Sequence, residues 1–482
     1  WSSHHLPPYP WDEAKLPDVD EVAKLFVRPA GPQRLCPKST CLFPTFAQYL
    51  TDGFIRTATH PDEADLPLAE QQALRKQTTS NHQIDLCPLY GRTRAQTLAL
   101  RVDDPATEGR GRLKSQQLPA GEFAPFLFRE GEADPAFAVL DRPLGLDGKS
   151  GVLARISSDD AETRAHAIRQ RDHLFAFGGD RANSAPQAAM MNTLLLREHN
   201  RLADGLAARN PGWDDDRVFE TARNIVIVEF IKIVVEDYIN HITPFAFNLR
   251  ADPSVAWTAP WNRTNWITTE FSLLYRWHAL IPDEITWGDK TYAIGETFLN
   301  NTPLLEIGVE RGFEAMSRQR AGALGAFNTT RALQEVEKAS IRQGRFCSLA
   351  PFADYRRYMG DRRPKTFEDI STNPDVARLL RDLYGEVDRV EFFPGLFAED
   401  RVADSPLPKS VLTLVAVDAF SQALTNPLLS EHVFNPDTFS AWGWDQIGAC
   451  SRLADLVRRN AKNPDALGPI VMTRTDWEPG ES

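Results

Sequence analysis

The chain has 482 residues, a formal net charge of −12 and a pI near 5.4. This acidic balance argues against nucleic acid or an anionic membrane surface as an electrostatic partner. The length is sufficient to bury a large core, and neither a polar linker nor an internal repeat divides the chain.

Apolar patterning and cysteine usage bound the class of protein further. Even the apolar run at Ile225–Val228 meets Glu229 and Lys232 within a turn, so no transmembrane helix is expected. The sparse cysteines lack CxxC spacing, so we expect neither a zinc site nor a disulfide framework. They favour a cytoplasmic location, while a chain that begins at Trp1 leaves a removed signal peptide open. The cysteines are Cys36, Cys41, Cys87, Cys347 and Cys450.

The first part of the chain has a different pattern from the rest. Prolines within residues 7–10 argue against a helix there, and a short helix after Leu16 is expected to end before Pro29. The prediction is therefore an N-terminal Pro-rich arm with a short helix at 1–40, followed by one large domain at 41–482.

An amphipathic helix is predicted from Pro44 to Thr57. Proline in the first turn costs little, because its missing N–H would have no partner there. Gln48 and Asp52 are four residues apart and therefore lie on one face of this helix.

Two long helices are predicted in the middle of the chain. The first runs from Pro186 to about Arg209 and ends at Asn210-Pro211-Gly212, a strong terminator. The second is capped by Asp214–Asp216 and continues to His241 with Ile and Val at helical spacing, the pattern of a core helix.

The stretch Phe271–Pro282 places a phenol, Tyr275, three residues before an imidazole, His278. On a helix, positions three apart share a face, so both rings are expected to point into one interior space. A buried imidazole can hold a haem iron, and a nearby phenol could lose an electron to the oxidised iron. Taken alone, this spacing is far more typical of core residues whose hydrogen bonds are satisfied within the protein.

Seven segments in order along the chain together resemble the cyclooxygenases and their relatives in the animal haem peroxidase superfamily, over roughly residues 16 to 465. The resemblance implies a mainly α-helical fold, with one large haem peroxidase domain and few short strands. The segments are Phe46-Ala47-Gln48, Asp85–Gly91, Leu195–Leu202, Val235–Ile239, Leu274–Glu284, Ala339–Arg345 and Glu391–Leu396.

The resemblance implies that His278 binds the haem iron and that Tyr275 carries the radical. Gln48 matches the family glutamine on the distal side, while Asp52 stands where the family has its distal histidine. An aspartate with an ordinary pKa near ~3.9 accepts a proton well but returns it poorly unless burial raises the pKa. Carboxylate-assisted peroxide cleavage and a weakened peroxidase step both stay open. A solvated helix residue is the plain alternative for Asp52.

Gly178–Arg181 is similar to the Gly-Asp-Thr-Arg of the mammalian peroxidases. Arg181 is therefore a candidate distal cation, with an ordinary surface arginine as the alternative. Ser184 stands where those peroxidases carry a glutamate esterified to haem, so we expect non-covalent haem b. His199 lies within the matching Leu195–Leu202 segment, but we interpret it as a structural hydrogen-bonding residue.

The resemblance also implies a substrate channel. Leu424 stands where cyclooxygenases have a glycine, so the channel should be shorter or differently bent. Phe245 replaces a tyrosine beside the family's carboxylate-binding arginine, which has no counterpart here. For Ser421 and Leu424 the alternative is that they only pack. The channel positions are Tyr238, Ile239, Ile242, Thr243, Phe245, Phe420, Ser421 and Leu424.

As in the family that it resembles, the chain is expected to be a haem-dependent dioxygenase. A radical on Tyr275 would oxygenate an unsaturated fatty acid with O2 to a hydroperoxide, after activation by a peroxide. One alternative is a haem peroxidase that oxidises small organic reductants and does not need Tyr275. Another is a non-catalytic haem-binding member of the fold, against which His278 and Gln48 argue. A homodimer is compatible with the resemblance.

Overall fold

The structure is a computed structural model that describes residues 2–55, 66–79, 82–148, 151–244, 248–263 and 266–478. Helices dominate the described chain, as predicted. The longer α-helices are α1 Leu42–Phe54, α2 Leu68–Arg75, α3 Arg94–Leu100, α4 Ala161–Asp172, α5 Pro186–Arg209, α6 Asp215–Ile233, α7 Thr269–Leu274, α8 Thr302–Ile307, α9 Val309–Arg318, α10 Gln334–Phe346, α11 Phe352–Tyr358, α12 Pro374–Tyr384, α13 Phe392–Ala398, α14 Lys409–Leu424, α15 Ala441–Gly448 and α16 Leu453–Arg459.

The described strands form only two-stranded antiparallel sheets, so the expectation of few short strands is also confirmed. The pairs are β1 with β8, β2 with β3, β4 with β5, and β6 with β7. Their ranges are β1 Leu35–Thr40, β2 Gln116–Leu118, β3 Gly121–Phe123, β4 Phe128–Arg129, β5 Glu132–Ala133, β6 Glu284–Trp287, β7 Lys290–Ala293 and β8 Arg320–Gly322.

Helices α5 and α6 form the centre of the core, where they pack against each other. Helix α5 begins at Pro186, and the first turn of a helix tolerates proline. Asn210 caps its other end, and Pro211 follows. Helix α6 is capped by Asp214, whose carboxylate accepts a hydrogen bond of 2.8 Å from the Arg217 amide. Local sequence therefore sets both helix starts as predicted.

The end of the second long helix differs from the prediction of a continuous α-helix to His241. After Ile233 the chain widens into a π-helical segment at Val234–Ile239, and Asn240–Ile242 closes it with one further α-turn. Such π-segments interrupt α-helices frequently at functional sites. This one carries Tyr238 and Ile239.

The described chain buries its apolar side chains in a core and does not concentrate them on one long helix. None of the described helices has both the length and the hydropathy to span a bilayer. All five cysteines lie within the described residues, are buried and form no disulfide.

Candidate haem cavity and its surroundings

A cavity of about 1140 Å³ lies between α1, α4 and the segment that follows α7. The five residues that the sequence singled out as catalytic or iron-binding all line it. They are Gln48, Asp52, Arg181, Tyr275 and His278. The structure thus brings together residues from distant parts of the chain.

The expectation that Tyr275 and His278 share one helix is wrong. Helix α7 ends at Leu274, Tyr275 caps it, and a separate 3₁₀ helix begins at His278. Between them Trp277 is buried and stacks on Tyr275, with ring centroids 4.7 Å apart, and on Phe43, at 5.5 Å. This aromatic packing accompanies the break, and both functional rings nevertheless reach the cavity.

The Tyr275 phenol sits in an apolar setting. Its ring packs edge-on against Phe271, with centroids 5.0 Å apart, and lies near Tyr238. Burial raises the pKa of Tyr275, and the Tyr238 hydroxyl offsets only part of that rise. Neither hydroxyl makes a well-formed hydrogen bond to another described residue. Tyr275 therefore stays protonated at neutral pH, and its oxidation must be accompanied by loss of that proton.

The distal side of the cavity is built on α1, because Gln48 and Asp52 occupy one face of that helix. The Gln48 amide Nε2 donates to the Ser184 hydroxyl over 3.0 Å. The largely buried Asp52 carboxylate lies 3.6 Å from Arg181 Nη1. A neighbouring guanidinium favours the ionised form of a carboxylate, while burial opposes it.

The proximal side contains a contact that the sequence did not indicate. His278 Nδ1 lies 3.2 Å from Glu337 Oε2, and the other carboxylate oxygen accepts a hydrogen bond of 2.8 Å from Thr329 Oγ1. Glu337 is on α10 and is buried together with Ser340 and Ile341. The one signal in the sequence that could have pointed to Glu337 was a carboxylate on the buried face of an amphipathic helix.

Arg276 is a second residue that sequence reasoning missed. It lines the cavity, and burial lowers the pKa of its guanidinium to about 10, partly countered by Glu337 and Asp52. One Nη donates to Gln343 over 3.3 Å, while Nε has no hydrogen-bond partner among the described residues. The side chain is therefore a cation at neutral pH with a buried donor available to an anion.

These donors fit a haem. His278 has one ring edge turned to Glu337 and lines the cavity with the rest of the ring, which leaves Nε2 for the iron. A haem also carries two carboxylates, and guanidinium groups bind carboxylates well. Arg276 is the candidate for one of them because its Nε lacks a partner.

The predicted channel residues that the structure describes do not line this cavity. Phe245 and the side chain of Phe420 are outside the described part of the structure. None of the other six lines the cavity, and Ser421 Oγ donates within its own helix to the Val417 carbonyl over 2.8 Å. The channel assignment stays a prediction. The other six are Tyr238, Ile239, Ile242, Thr243, Ser421 and Leu424.

The structural interpretation of His199 agrees with its contacts. Nδ1 accepts a hydrogen bond from the Tyr90 hydroxyl over 3.0 Å, and Nε2 donates to the Gly111 carbonyl over 2.8 Å. Complete burial lowers the pKa of His199 to about 3, so the ring is neutral. Both ring nitrogens are occupied by protein groups, which leaves neither for a metal.

Comparisons with known proteins agree with this geometry. The family described as animal haem peroxidase matches residues 54–472. Prostaglandin G/H synthase 1 of Mus musculus is 30% identical over 472 residues, which are 97% of this chain and 70% of that protein. Prostaglandin G/H synthase 2 of Equus caballus is 35% identical over 293 residues, which are 60% of this chain and 48% of that relative. The match to the horse enzyme thus spans about half of its length.

Solved structures share the fold. Peroxidase A from Dictyostelium discoideum superposes with a TM-score of 0.68 and 17% identity, covering 95% of this chain and 91% of that one. The fatty acid alpha-dioxygenase of Oryza sativa superposes with a TM-score of 0.69 and 16% identity, covering 96% and 81%. At such low identity, these matches establish the architecture and not the reaction.

Proposed function

Because this chain belongs to the animal haem peroxidase family and is therefore a haem-dependent oxidoreductase, we propose that it is a dioxygenase that uses a radical on Tyr275 to convert an unsaturated fatty acid to a hydroperoxide. The observation that carries the proposal is the buried phenol of Tyr275 on the wall of the cavity that His278 also lines. The similarity to prostaglandin G/H synthases supports a fatty acid as substrate.

In this proposal, haem b is held without a covalent bond. His278 would supply the axial ligand, and Arg276 would bind a haem carboxylate. Ser184 hydrogen-bonds to Gln48 and offers no carboxylate for an ester link. When bound, the haem supplies the oxidising power of a peroxide.

The substrate reaction is assigned to Tyr275. Its oxidised phenoxyl oxygen takes a hydrogen atom from the fatty acid, which breaks a C–H bond, reforms the phenol and leaves a carbon radical. O2 adds to that carbon, and the resulting peroxyl radical takes the phenolic hydrogen back. The sum is fatty acid plus O2 to hydroperoxide, with the Tyr275 radical regenerated for another cycle.

The distal residues would prepare the peroxide. Ionised Asp52 accepts a proton from one peroxide oxygen, while Arg181 and the Gln48 amide stabilise developing charge on the other. The guanidinium of Arg181 lies 3.6 Å from the Asp52 carboxylate, and such a contact disfavours return of the proton. We therefore favour the weakened peroxidase step among the two outcomes that the sequence left open.

A peroxidase acting on small reductants is the second candidate. The observation that favours it is the charged lining of the cavity, which suits polar molecules and would not require Tyr275. The charged lining includes Arg155, Asp160, Glu162, Arg169 and Glu296.

Oxygen uptake by the haem-loaded protein with linoleic acid tests the proposal. Wild-type protein is expected to consume O2, and Tyr275→Phe is expected to fall to background with an unchanged Soret band. Tyr90→Phe makes the same change at a buried tyrosine outside the cavity and should retain uptake.

The two candidate functions give different outcomes in this experiment. Uptake that persists in Tyr275→Phe would refute the radical assignment. A wild type that consumes no O2 with unsaturated fatty acids, yet oxidises phenols with peroxide equally well in both forms, would establish the peroxidase.

A further inference from the structure

We propose that Glu337 is a positioning residue for His278. Its carboxylate accepts the Nδ1–H of the imidazole, which directs Nε2 into the cavity and makes the ring a more strongly donating ligand. The inference rests on the proposed ligation of haem by His278, but it is independent of the substrate.

The first argument is that both facing atoms are buried and have no other partner. Among the described residues, neither His278 Nδ1 nor Glu337 Oε2 makes another hydrogen bond, and the two atoms are 3.2 Å apart. A buried polar atom without a partner costs free energy. A small rotation of either side chain would satisfy both atoms at once.

The second argument is that Glu337 is held in place from its other side. The Thr329 hydroxyl donates to Oε1 over 2.8 Å, and both side chains are almost completely buried. Thr329 is itself fixed by a β-bridge to Val27. The carboxylate is thus anchored before any ligand is present.

The third argument concerns charge. Isolating a carboxylate in the interior is expensive unless a cation is near. Arg276, which also lines the cavity, supplies one such cation. An iron ion on Nε2 would supply a second through the imidazole ring, which favours a carboxylate over a neutral amide at this position.

The two sides of the cavity would therefore have different roles. A hydrogen bond to a carboxylate raises the basicity of a metal-bound imidazole, and hydrogen bonding around the ligand tunes the iron's reduction potential. A strongly donating ligand stabilises the ferric state and assists peroxide cleavage. This would compensate for the weakened distal step proposed above, in which Asp52 lies 3.6 Å from Arg181.

Redox titration of haem-loaded Glu337→Gln tests the inference, because glutamine keeps the shape and removes the charge. The preference for ferric over ferrous haem should fall about tenfold, a rise of about 59 mV in midpoint potential for a one-electron couple. The iron–histidine stretching frequency of the ferrous form should fall as well. Loss of a partner of this kind weakens metal binding by roughly 10–100-fold, so haem should also dissociate faster.

Thr329→Val is the matched control, because it loosens the same carboxylate and keeps its charge. It should move the potential and the stretching frequency much less than Glu337→Gln does. If Glu337→Gln does not fold, Glu337→Asp keeps the charge farther from His278 and should give a smaller shift in the same direction.

The outcomes separate this inference from the proposed function. Equal, small shifts in Glu337→Gln and Thr329→Val would show a merely structural carboxylate and overturn the inference, while haem ligation and activity stood. A wild type without any iron–histidine signal would overturn the ligation by His278, and the inference with it.

Discussion

Two histidines lie in the segments that resemble the family, and their surroundings differ. His199 on α5 has both ring nitrogens bonded to protein groups, Tyr90 and Gly111. His278 has only Nδ1 facing a protein group, and the rest of its ring lines a cavity. The residue type is shared, but His199 is completely buried while the His278 side chain is 15% exposed. The ring nitrogen without a protein partner therefore distinguishes the candidate ligand from the structural residue.

Replacing the two histidines in turn gives the largest contrast. In His278→Ala we expect haem affinity to fall by more than about 100-fold. Loss of only the hydrogen-bond partner of a metal-binding histidine already lowers metal affinity by up to about 100-fold. Titration of the apoprotein with haem, followed at the Soret band, measures this. Urea unfolding of the His278→Ala apoprotein should show a smaller loss of stability than that of His199→Leu, because only Glu337 Oε2 loses the group that faces it.

His199→Leu should show the reverse behaviour. It strands the Tyr90 hydroxyl and the Gly111 carbonyl in the core, at about 1–3 kcal/mol for each buried group. Its free energy of unfolding should fall, while the folded fraction binds haem normally. Normal haem affinity in His278→Ala would break the comparison.

The pH dependence of the free energy of unfolding sharpens the comparison of the two histidines. Burial lowers the pKa of His199 from the ordinary 6.5 to about 3, so the folded protein favours the neutral ring. This stabilisation is complete above the unfolded pKa and is lost as pH falls from about 6.5 towards about 3, at about 1.4 kcal/mol per pH unit.

Urea unfolding of the wild type and His199→Leu between about pH 7 and about pH 5 checks that slope. The difference between them should shrink as the pH falls, because groups that titrate in both proteins cancel. A constant difference would show that His199 is not held neutral.

Ser184→Ala should give the smallest effect. The Gln48 amide loses its one described hydrogen-bond partner beside the cavity, where water can replace the hydroxyl. A hydrogen bond of this kind contributes about 0.5–1.5 kcal/mol, so the rate of peroxide consumption should fall only a few-fold. Ser421→Ala is the control outside the cavity, and stopped-flow mixing with peroxide compares the two. A loss as large as that in His278→Ala would show that Ser184 acts directly.

Much of the fold followed from local signals. Pro186 and the Asn210-Pro211-Gly212 terminator marked α5, and Asp214 marked the start of α6. The break between Tyr275 and His278 was not indicated by the helical pattern, and it coincides with the packing of Trp277 on Phe43. Propensity is a weak determinant where a large aromatic ring must be buried.

The sequence by itself determined the helical class of this protein, because residue type, helix caps and periodicity are local properties, and its resemblance to a family supplied the candidate site residues. Gln48 and Asp52 share a face of α1 because of such local periodicity. Tertiary structure alone decided the pairing of Asp52 with Arg181 and of His278 with Glu337. Those contacts join segments far apart in the chain, and only the folded packing of their helices and loops brings the charges within reach.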